Sequence, residues 1–318
     1  MRVLVTGSTG LLGQALCSRL ARSCELIGLS RHAPREPAGR IRHIVCDLAD
    51  ATSTRETLRA LAPEVVIHAQ ALSDVDRCEE DPQAAWAQNV TTTVHLVDAL
   101  TGLAATPTSG ARPPLLVFVS TDYVFDGTKG SPYDEHEATH PLNAYGRAKL
   151  EGERAAQRYP RAVVARTSTL FGRGRANFCD HLIERLTAGE PVDAFSDQVT
   201  SPTFTDDVAA ALEALSRTLW DTWHDRAPRV YHLANEGGCS RLAFAQRVAQ
   251  RLRCERSLIR PIRMADQRRP APRPAYSALR SRTISPALRR MLRPWDEALD
   301  EYLRRRSLLD PARSRPLP

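Results

Sequence analysis

Tyr145 and Lys149 stand four residues apart in the run Pro141-Leu142-Asn143-Ala144-Tyr145-Gly146-Arg147-Ala148-Lys149. On a helix this spacing places the phenol and the ammonium on one face. A cation beside a phenol favours the phenolate and lowers its pKa, which makes Tyr145 a candidate general acid or base. Lys149 is one of two lysines (the other is Lys129) in a chain with 44 Lys and Arg residues. Arginine is a wide, permanently charged fork and lysine a compact point charge. A lysine kept against that bias marks chemistry that arginine cannot do. An exposed lysine on an ordinary amphipathic helix gives the same spacing.

The second chemical signal is Thr6-Gly7-Ser8-Thr9-Gly10-Leu11-Leu12-Gly13, which follows the apolar run Arg2-Val3-Leu4-Val5 and opens a helical pattern. Glycines at 7, 10 and 13 allow a tight turn, close approach of backbone to phosphate, and close helix–strand packing. The helix amino terminus offers free N–H groups to a pyrophosphate. This context predicts dinucleotide binding rather than a turn that serves packing alone. After the second predicted strand stand Ser30-Arg31-His32, with no acid for a ribose hydroxyl. An arginine there suits a 2′-phosphate, so NADP(H) is preferred and NAD(H) remains possible. Asp47 and Leu48 follow the third strand, placed for the adenine; a helix-start role for Asp50 and Thr52 is the other use of that segment.

These residues need a scaffold. Strand patterns at 2–5, 25–30, 41–45, 65–68, 115–120 and 162–165 alternate with helical patterns at 11–22, 52–61, 82–100 and 143–158. Strands that are apolar throughout, separated by helices, predict an α/β Rossmann fold: a doubly wound parallel sheet covered on both faces. The predicted organisation is a dinucleotide-binding unit over residues 1–170, a smaller substrate lobe mainly over 171–305, and a flexible tail over 306–318. Later helices are predicted at 178–187, 206–219, 241–252 and 295–306, and residues 230–233 return to the main sheet. Residues 102–114 read as a loop.

Hydrophobic content of 42% and charged content of 25% fit a soluble globular chain. No apolar run approaches the roughly 20 residues that cross a bilayer, and a strand beginning at Arg2 is read as leaving no signal peptide. The seven cysteines are scattered without a CxxC pair, so no metal site and no disulfide framework is expected, and the compartment is read as cytoplasmic. Residues 241–318 hold 20 arginines against 7 acids, net +13, which leaves −6 on the first 240 residues of a chain of net charge +7. No nucleic-acid motif accompanies the arginines, so a small anionic ligand or solvation is favoured over nucleic acid.

With the glycine turn and the Tyr145/Lys149 pair in one chain, the sequence resembles an extended short-chain dehydrogenase/reductase. The string Ser120-Thr121-Asp122-Tyr123-Val124-Phe125-Asp126-Gly127 is more specific and resembles the dTDP-4-dehydrorhamnose reductase branch. So do Val75-Asp76-x-x-Glu79, Asn89, Arg166-Thr167-Ser168, Asn177-Phe178, Asp197-Gln198 with Pro202-Thr203, and Arg268-Arg269-Pro270, over roughly residues 1 to 305. The resemblance implies a reductase that carries hydride from NADPH to the C4 ketone of a nucleotide-linked 4-keto-6-deoxysugar. It implies Thr121, Tyr145 and Lys149 as catalytic residues. It assigns the cofactor to Gly7, Thr9, Gly10, Leu11, Leu12, Gly13, Ser30, Arg31, Asp47, Leu48, Ala69, Gln70, Ala71, Asn89 and Ser120, with Tyr145 and Lys149. Ser73, Asp74, Val75, Thr121, Asp122, Thr169, Asn177 and Arg269 border the sugar nucleotide. A homodimer through the helices at 82–100 and 143–158 is also implied.

Two departures bear on the substrate. Thr169 stands where these reductases typically carry a tryptophan, and His68-Ala69-Gln70-Ala71 replaces the usual Asn-Ala-Ala-Ala. A buried, hydrogen-bonded strand-end role is favoured for His68 over a catalytic one. Two other readings share the motifs: a sugar-nucleotide epimerase or dehydratase, although Asp122-Tyr123 lacks the acid pair of dehydratases, and a cofactor-binding regulatory protein similar to the beta subunit of methionine adenosyltransferase.

Overall fold

The structure is a computed structural model and describes residues 1–34, 41–105 and 112–308. The first half runs β1 (Arg2–Thr6), α1 (Leu11–Leu20), β2 (Glu25–Ser30), β3 (Arg42–Val45), α2 (Ala51–Leu61), β4 (Val65–His68), α3 (Val75–Glu80), α4 (Pro82–Trp86), α5 (Thr92–Ala105), β5 (Leu115–Thr121), α6 (Ala144–Ala156) and β6 (Ala162–Thr167). The second half runs β7 (Leu170–Phe171), α7 (Phe178–Thr187), β8 (Val192–Phe195), β9 (Val199–Thr200), β10 (Thr203–Phe204), α8 (Thr205–Thr222), β11 (Val230–His232), β12 (Cys239–Ser240), α9 (Arg241–Leu252), β13 (Ile259–Ile262), α10 (Pro286–Met291) and α11 (Trp295–Arg305).

Seven strands form one parallel sheet in the order β11-β6-β5-β4-β1-β2-β3. The chain winds outward from β1 in one direction and from β4 in the other, so the strand order reverses between them. In such sheets ligands bind in the crevice beyond the carboxyl ends at that reversal. Successive residues point to opposite faces of a strand, and both faces are buried. Val3, Val5, Ile67 and Val117 pack with α1 and α8, while Leu4, Val66, Leu116 and Phe118 pack with α2 and α5. A separate core joins α7, α9 and α11 through Phe171, Ile183, Phe204, Phe244, Val248 and Tyr302.

Several expected bounds shift. The helix expected over 82–100 carries a π turn at Ala87–Thr91 and ends at Ala105. Residues 102–105 are therefore helix rather than loop, because Leu100 and Leu103 continue the face that packs on the sheet. Of the expected loop and tail, residues 106–111 and 309–318 lie outside the described residues. The short α3 was not expected; Asp74 caps it by accepting from the Arg77 N–H.

Helix α6 is seated by a buried network. The Glu153 carboxylate takes two hydrogen bonds from Arg166, 2.9 and 2.7 Å, and one from the Ser120 hydroxyl at 2.5 Å. Removing one member of a buried pair strands the other charge, which costs about 3–5 kcal/mol, whereas an apolar pair of similar volume is often neutral. Glu153→Ala should lower unfolding free energy by about 3–5 kcal/mol in a urea titration, and Glu153→Leu with Arg166→Met should recover most of it. A single mutant within about 1 kcal/mol of wild type would reject this account.

Candidate active site

The glycine turn lies at the reversal between β1 and β4. Gly7 has φ +68°, and a Cβ there would stand 2.8 Å from the Gln70 backbone; a Cβ on Gly13 would stand 2.1 Å from the Gly7 carbonyl oxygen. Only glycine permits this left-handed turn and this closeness. Gly10 caps α1 with no side-chain hydrogen bond to the helix amino terminus, so the N–H groups of its first turn are not claimed by a cap. Gly7, Thr9, Gly10, Leu11, Leu12 and Gly13 thus form a cradle with Ala69, Gln70 and Ala71 on its far wall. The donors and the space fit a pyrophosphate.

Around the cradle the expected residues divide. Arg31 is exposed beside His32, with its Nε 3.2 Å from the imidazole Nε2. The Ser30 hydroxyl donates to the His32 carbonyl at 2.6 Å and lies 3.0 Å from His43 Nε2. His43 also reaches Ser8 Oγ at 3.1 Å, a contact without a sequence signal because it joins β3 to the turn. Asp47 accepts from the Ala49 N–H, the Leu48 side chain is core, and Asp50 caps α2. Asn89, on the π turn, clamps Leu72 through both its amide oxygen and nitrogen, 2.9 and 3.1 Å. It therefore holds the Ala71–Ser73 segment rather than projecting from it. Ser120 is occupied by Glu153. His68 is buried between Thr6 and Thr93, 2.6 and 3.2 Å, and desolvation lowers its pKa to about 3.

Thr121, Tyr145 and Lys149 converge where β5 ends. Asn143 caps α6 through the Gly146 N–H at 2.8 Å, and Glu79 accepts the Ala144 N–H at 2.6 Å. A Cβ on Gly146 would stand 2.2 Å from the Tyr123 carbonyl oxygen, so glycine lets the first turn of α6 lie on the end of β5. The Lys149 ammonium donates to the Val119 carbonyl at 2.7 Å and lies 4.1 Å from the Phe118 ring centre. Burial lowers its pKa to about 7, opposed by Glu153.

The expected lowering of the Tyr145 pKa is not what the structure shows. Burial pushes the phenol well above its ordinary value, and the Thr121 hydroxyl opposes this as its hydrogen-bond partner. Lys149 is turned to Val119 and Phe118, so desolvation wins over its charge.

Asp122 is 2% exposed and accepts from Ser277, Ser168 and Thr121 at 2.5, 2.9 and 3.2 Å. Ser277 was not singled out in the sequence; it comes from a segment 155 residues away. Asn177 caps α7 in a reciprocal capping box with Asp180. Arg269 is exposed, with its guanidinium 4.3 Å from the Phe195 ring centre. With Phe195, Gln267 and Arg273 it lines a cavity of about 270 Å³, and Arg273 is held by both oxygens of Asp76, 3.0 and 2.9 Å. Among the described residues no cluster of His, Cys, Asp and Glu could hold a metal, and no helix is long and apolar enough to cross a membrane.

The strand order, the glycine cradle at its reversal and Thr121 beside Tyr145 and Lys149 define an extended short-chain dehydrogenase/reductase. Within that class the chain belongs to the RmlD substrate binding domain family, whose model matches residues 1–308. It is 35% identical to a dTDP-4-dehydrorhamnose reductase of Mycobacterium tuberculosis, over 94% of this chain and 91% of that one. It is 34% identical to a probable dTDP-4,6-dihydroxy-2-methyloxan-3-one 4-ketoreductase of Streptomyces antibioticus, over 95% and 94%. A solved dTDP-4-dehydrorhamnose reductase of Bacillus anthracis in complex with NADP superposes with a TM-score of 0.77 at 25% identity, over 96% of this chain and 99% of that one.

Desolvation raises the Asp122 pKa to about 6 despite its three donors. A carboxyl whose folded pKa exceeds its unfolded value gives stability present below about pH 4 and lost as pH rises through about 6. The wild type should therefore lose about 2–3 kcal/mol relative to Asp122→Asn between pH 4 and 6.5, read from urea midpoints. A constant difference across that range would sink this assignment.

Proposed function

We propose that this chain is an NADPH-dependent ketoreductase acting on the C4 ketone of a nucleotide-linked 4-keto-6-deoxysugar, with a dTDP sugar as the first choice. The observation that carries the reading is a partly buried, protonated Tyr145 beside Thr121 at the end of β5, in a chain 35% identical to a dTDP-4-dehydrorhamnose reductase.

The N–H groups of Leu11 and Leu12 hold the pyrophosphate, and Arg31 meets the 2′-phosphate. NADH fits the same turn without using Arg31. Ala69, Gln70 and Ala71 wall the cofactor on the β4 side, and Lys149 reaches the nicotinamide ribose. When bound, NADPH supplies the hydride to the carbonyl carbon. Burial keeps Tyr145 protonated at neutral pH, so it is ready to donate to the oxygen as negative charge develops there. When substrate binds, the Thr121 hydroxyl proton turns from Asp122 to the same oxygen, a donor aimed at charge that appears only in the transition state. Lys149, one helical turn from Tyr145, stabilises the phenolate left behind. Asp122 positions Thr121 through their hydrogen bond. Ser73 and Val75 border the sugar, and Arg269 serves the nucleotide end. Asp74 and Asn177 are occupied as helix caps and stand outside this set.

In this reading residues 1–170 are the dinucleotide unit, rejoined by α8 and β11. The core of α7, α9 and α11 is the substrate lobe within 171–305. The site serves a homodimer, supported by the exposed Trp86 and Leu142 beside α4 and α6. Seven free thiols support a cytoplasmic location. A light-scattering mass near the chain mass of 35.2 kDa would reject the dimer.

With NADPH and dTDP-4-keto-rhamnose, Tyr145→Phe should lower kcat by about 10²–10⁴ and leave NADPH affinity within about threefold. Turnover retained in the mutant would overturn the role of Tyr145. Tight NADPH binding without oxidation of any 4-keto sugar by wild type would favour a regulatory protein. Arg31→Ala should weaken NADPH at least about tenfold while leaving NADH nearly unchanged, in line with loss of a charge-assisted phosphate contact; equal losses for both would reject the 2′-phosphate assignment.

A further inference from the structure

Arg241 opens α9, and its side chain lies beside the residues around Tyr145. Its Nη2 donates to the Thr169 hydroxyl at 3.4 Å, and its guanidinium lies 4.4 Å from the Phe178 ring centre. Its Nη1 is shut off from solvent and has no hydrogen-bond partner. Among the described residues Arg241 makes no ion pair, while neighbouring Arg273 is paired with Asp76. Asp122 is the nearby acid that bears on its charge, and that carboxylate is already taken by Thr121, Ser168 and Ser277. A buried guanidinium donor with no acceptor is costly, and arginine can only donate.

Thr169 is strained. Its φ of +32° puts a β-branched residue in a region favouring glycine. It is held there by the Thr203 N–H on its carbonyl at 3.0 Å and by the β7–β10 pairing that follows. Its neighbour Ser168 donates to Asp122, which in turn holds Thr121. Tyr123 has its ring centre 6.0 Å from that of Tyr145. Through Ser168, Asp122 and Tyr123, Arg241 and Thr169 therefore stand next to the residues around Tyr145.

We propose that Arg241 and Thr169 form a specificity-determining subsite in which Arg241 Nη1 donates to a hydroxyl oxygen of the sugar ring. The subsite rests on the ketoreductase reading above and names its substrate class: a sugar that keeps a ring hydroxyl facing Arg241, against one that has lost it. A site built around a buried donor rejects a ligand without the matching acceptor, because the donor is then left unpaired.

The test is calorimetric binding of dTDP and of dTDP-rhamnose to wild type, Arg241→Gln, Arg241→Lys and Thr169→Val, with NADPH affinity as the check on folding. The expected result is that dTDP-rhamnose binds wild type more tightly than dTDP. Arg241→Gln should then lose that preference by roughly 10-fold or more, as for a hydrogen bond from a charged donor, with dTDP within about twofold of wild type. Arg241→Lys should restore part of it. Equal weakening of dTDP and dTDP-rhamnose would assign Arg241 to the diphosphate and overturn the subsite, as would an unchanged preference. If Arg241→Gln also loses NADPH, Arg241→Lys and Thr169→Val decide by the same comparison. Wild type that binds NADPH but neither dTDP ligand would fail the ketoreductase reading itself, and this inference with it.

Discussion

The seat of α6 on the carboxyl end of β5 is the contact on which the site depends. Gly146 lets the first helical turn meet the Tyr123 carbonyl, and the Glu153–Arg166–Ser120 network holds the third turn to β5 and β6. Tyr145 precedes the first fixed point by one residue and Lys149 lies between the two. The helix cannot slide without stranding a buried charge, so the phenol keeps its place beside Thr121. The same packing excludes water. Burial keeps Tyr145 protonated and lowers the Lys149 pKa to about 7.

The second organising constraint is charge. The arginines concentrated after residue 240 reach back to acids of the earlier chain: Arg273 to Asp76, Arg280 and Arg282 to Asp134, Arg306 to Asp180, Arg260 to Asp193, Arg305 to Asp206 and Arg293 to Asp207. Most of these pairs are partly exposed, and such pairs contribute little stability individually. Their consequence is positional. They return residues 271–282 to the sheet edge and deliver Ser277 to Asp122. Seven arginines after residue 240 are matched to earlier acids in this way, while Arg241, with its Nη1 shut off from solvent, makes no ion pair among the described residues.

The fold was legible because its signals are local. Strands apolar throughout, helical patterns between them, and glycines at 7, 10 and 13 each follow from neighbours in the chain. The roles given to Thr121, Tyr145 and Lys149 came from the resemblance those motifs carry, and the order of the strands from the structure. Less legible were α3 and the π turn at Ala87–Thr91, which depend on the Asn89 clamp on Leu72, a contact across 17 residues.

By itself the sequence determined the glycine turn and the parallel α/β architecture and named candidate reacting side chains, since turn chemistry, hydrophobic period and residue type act over short range. Only the tertiary structure decided the protonation of the site, because a pKa near a buried group depends on what surrounds it in space. Tyr145 was expected to fall and instead rises, since Lys149 turns to the Val119 carbonyl and desolvation prevails. Asp122 becomes a buried acceptor for hydroxyls drawn from 46 and 155 residues away. Thr169 and Arg241, 72 residues apart, meet only because β7 and the start of α9 are folded against one another. No local pattern encodes such meetings, and the proposed sugar subsite rests on them.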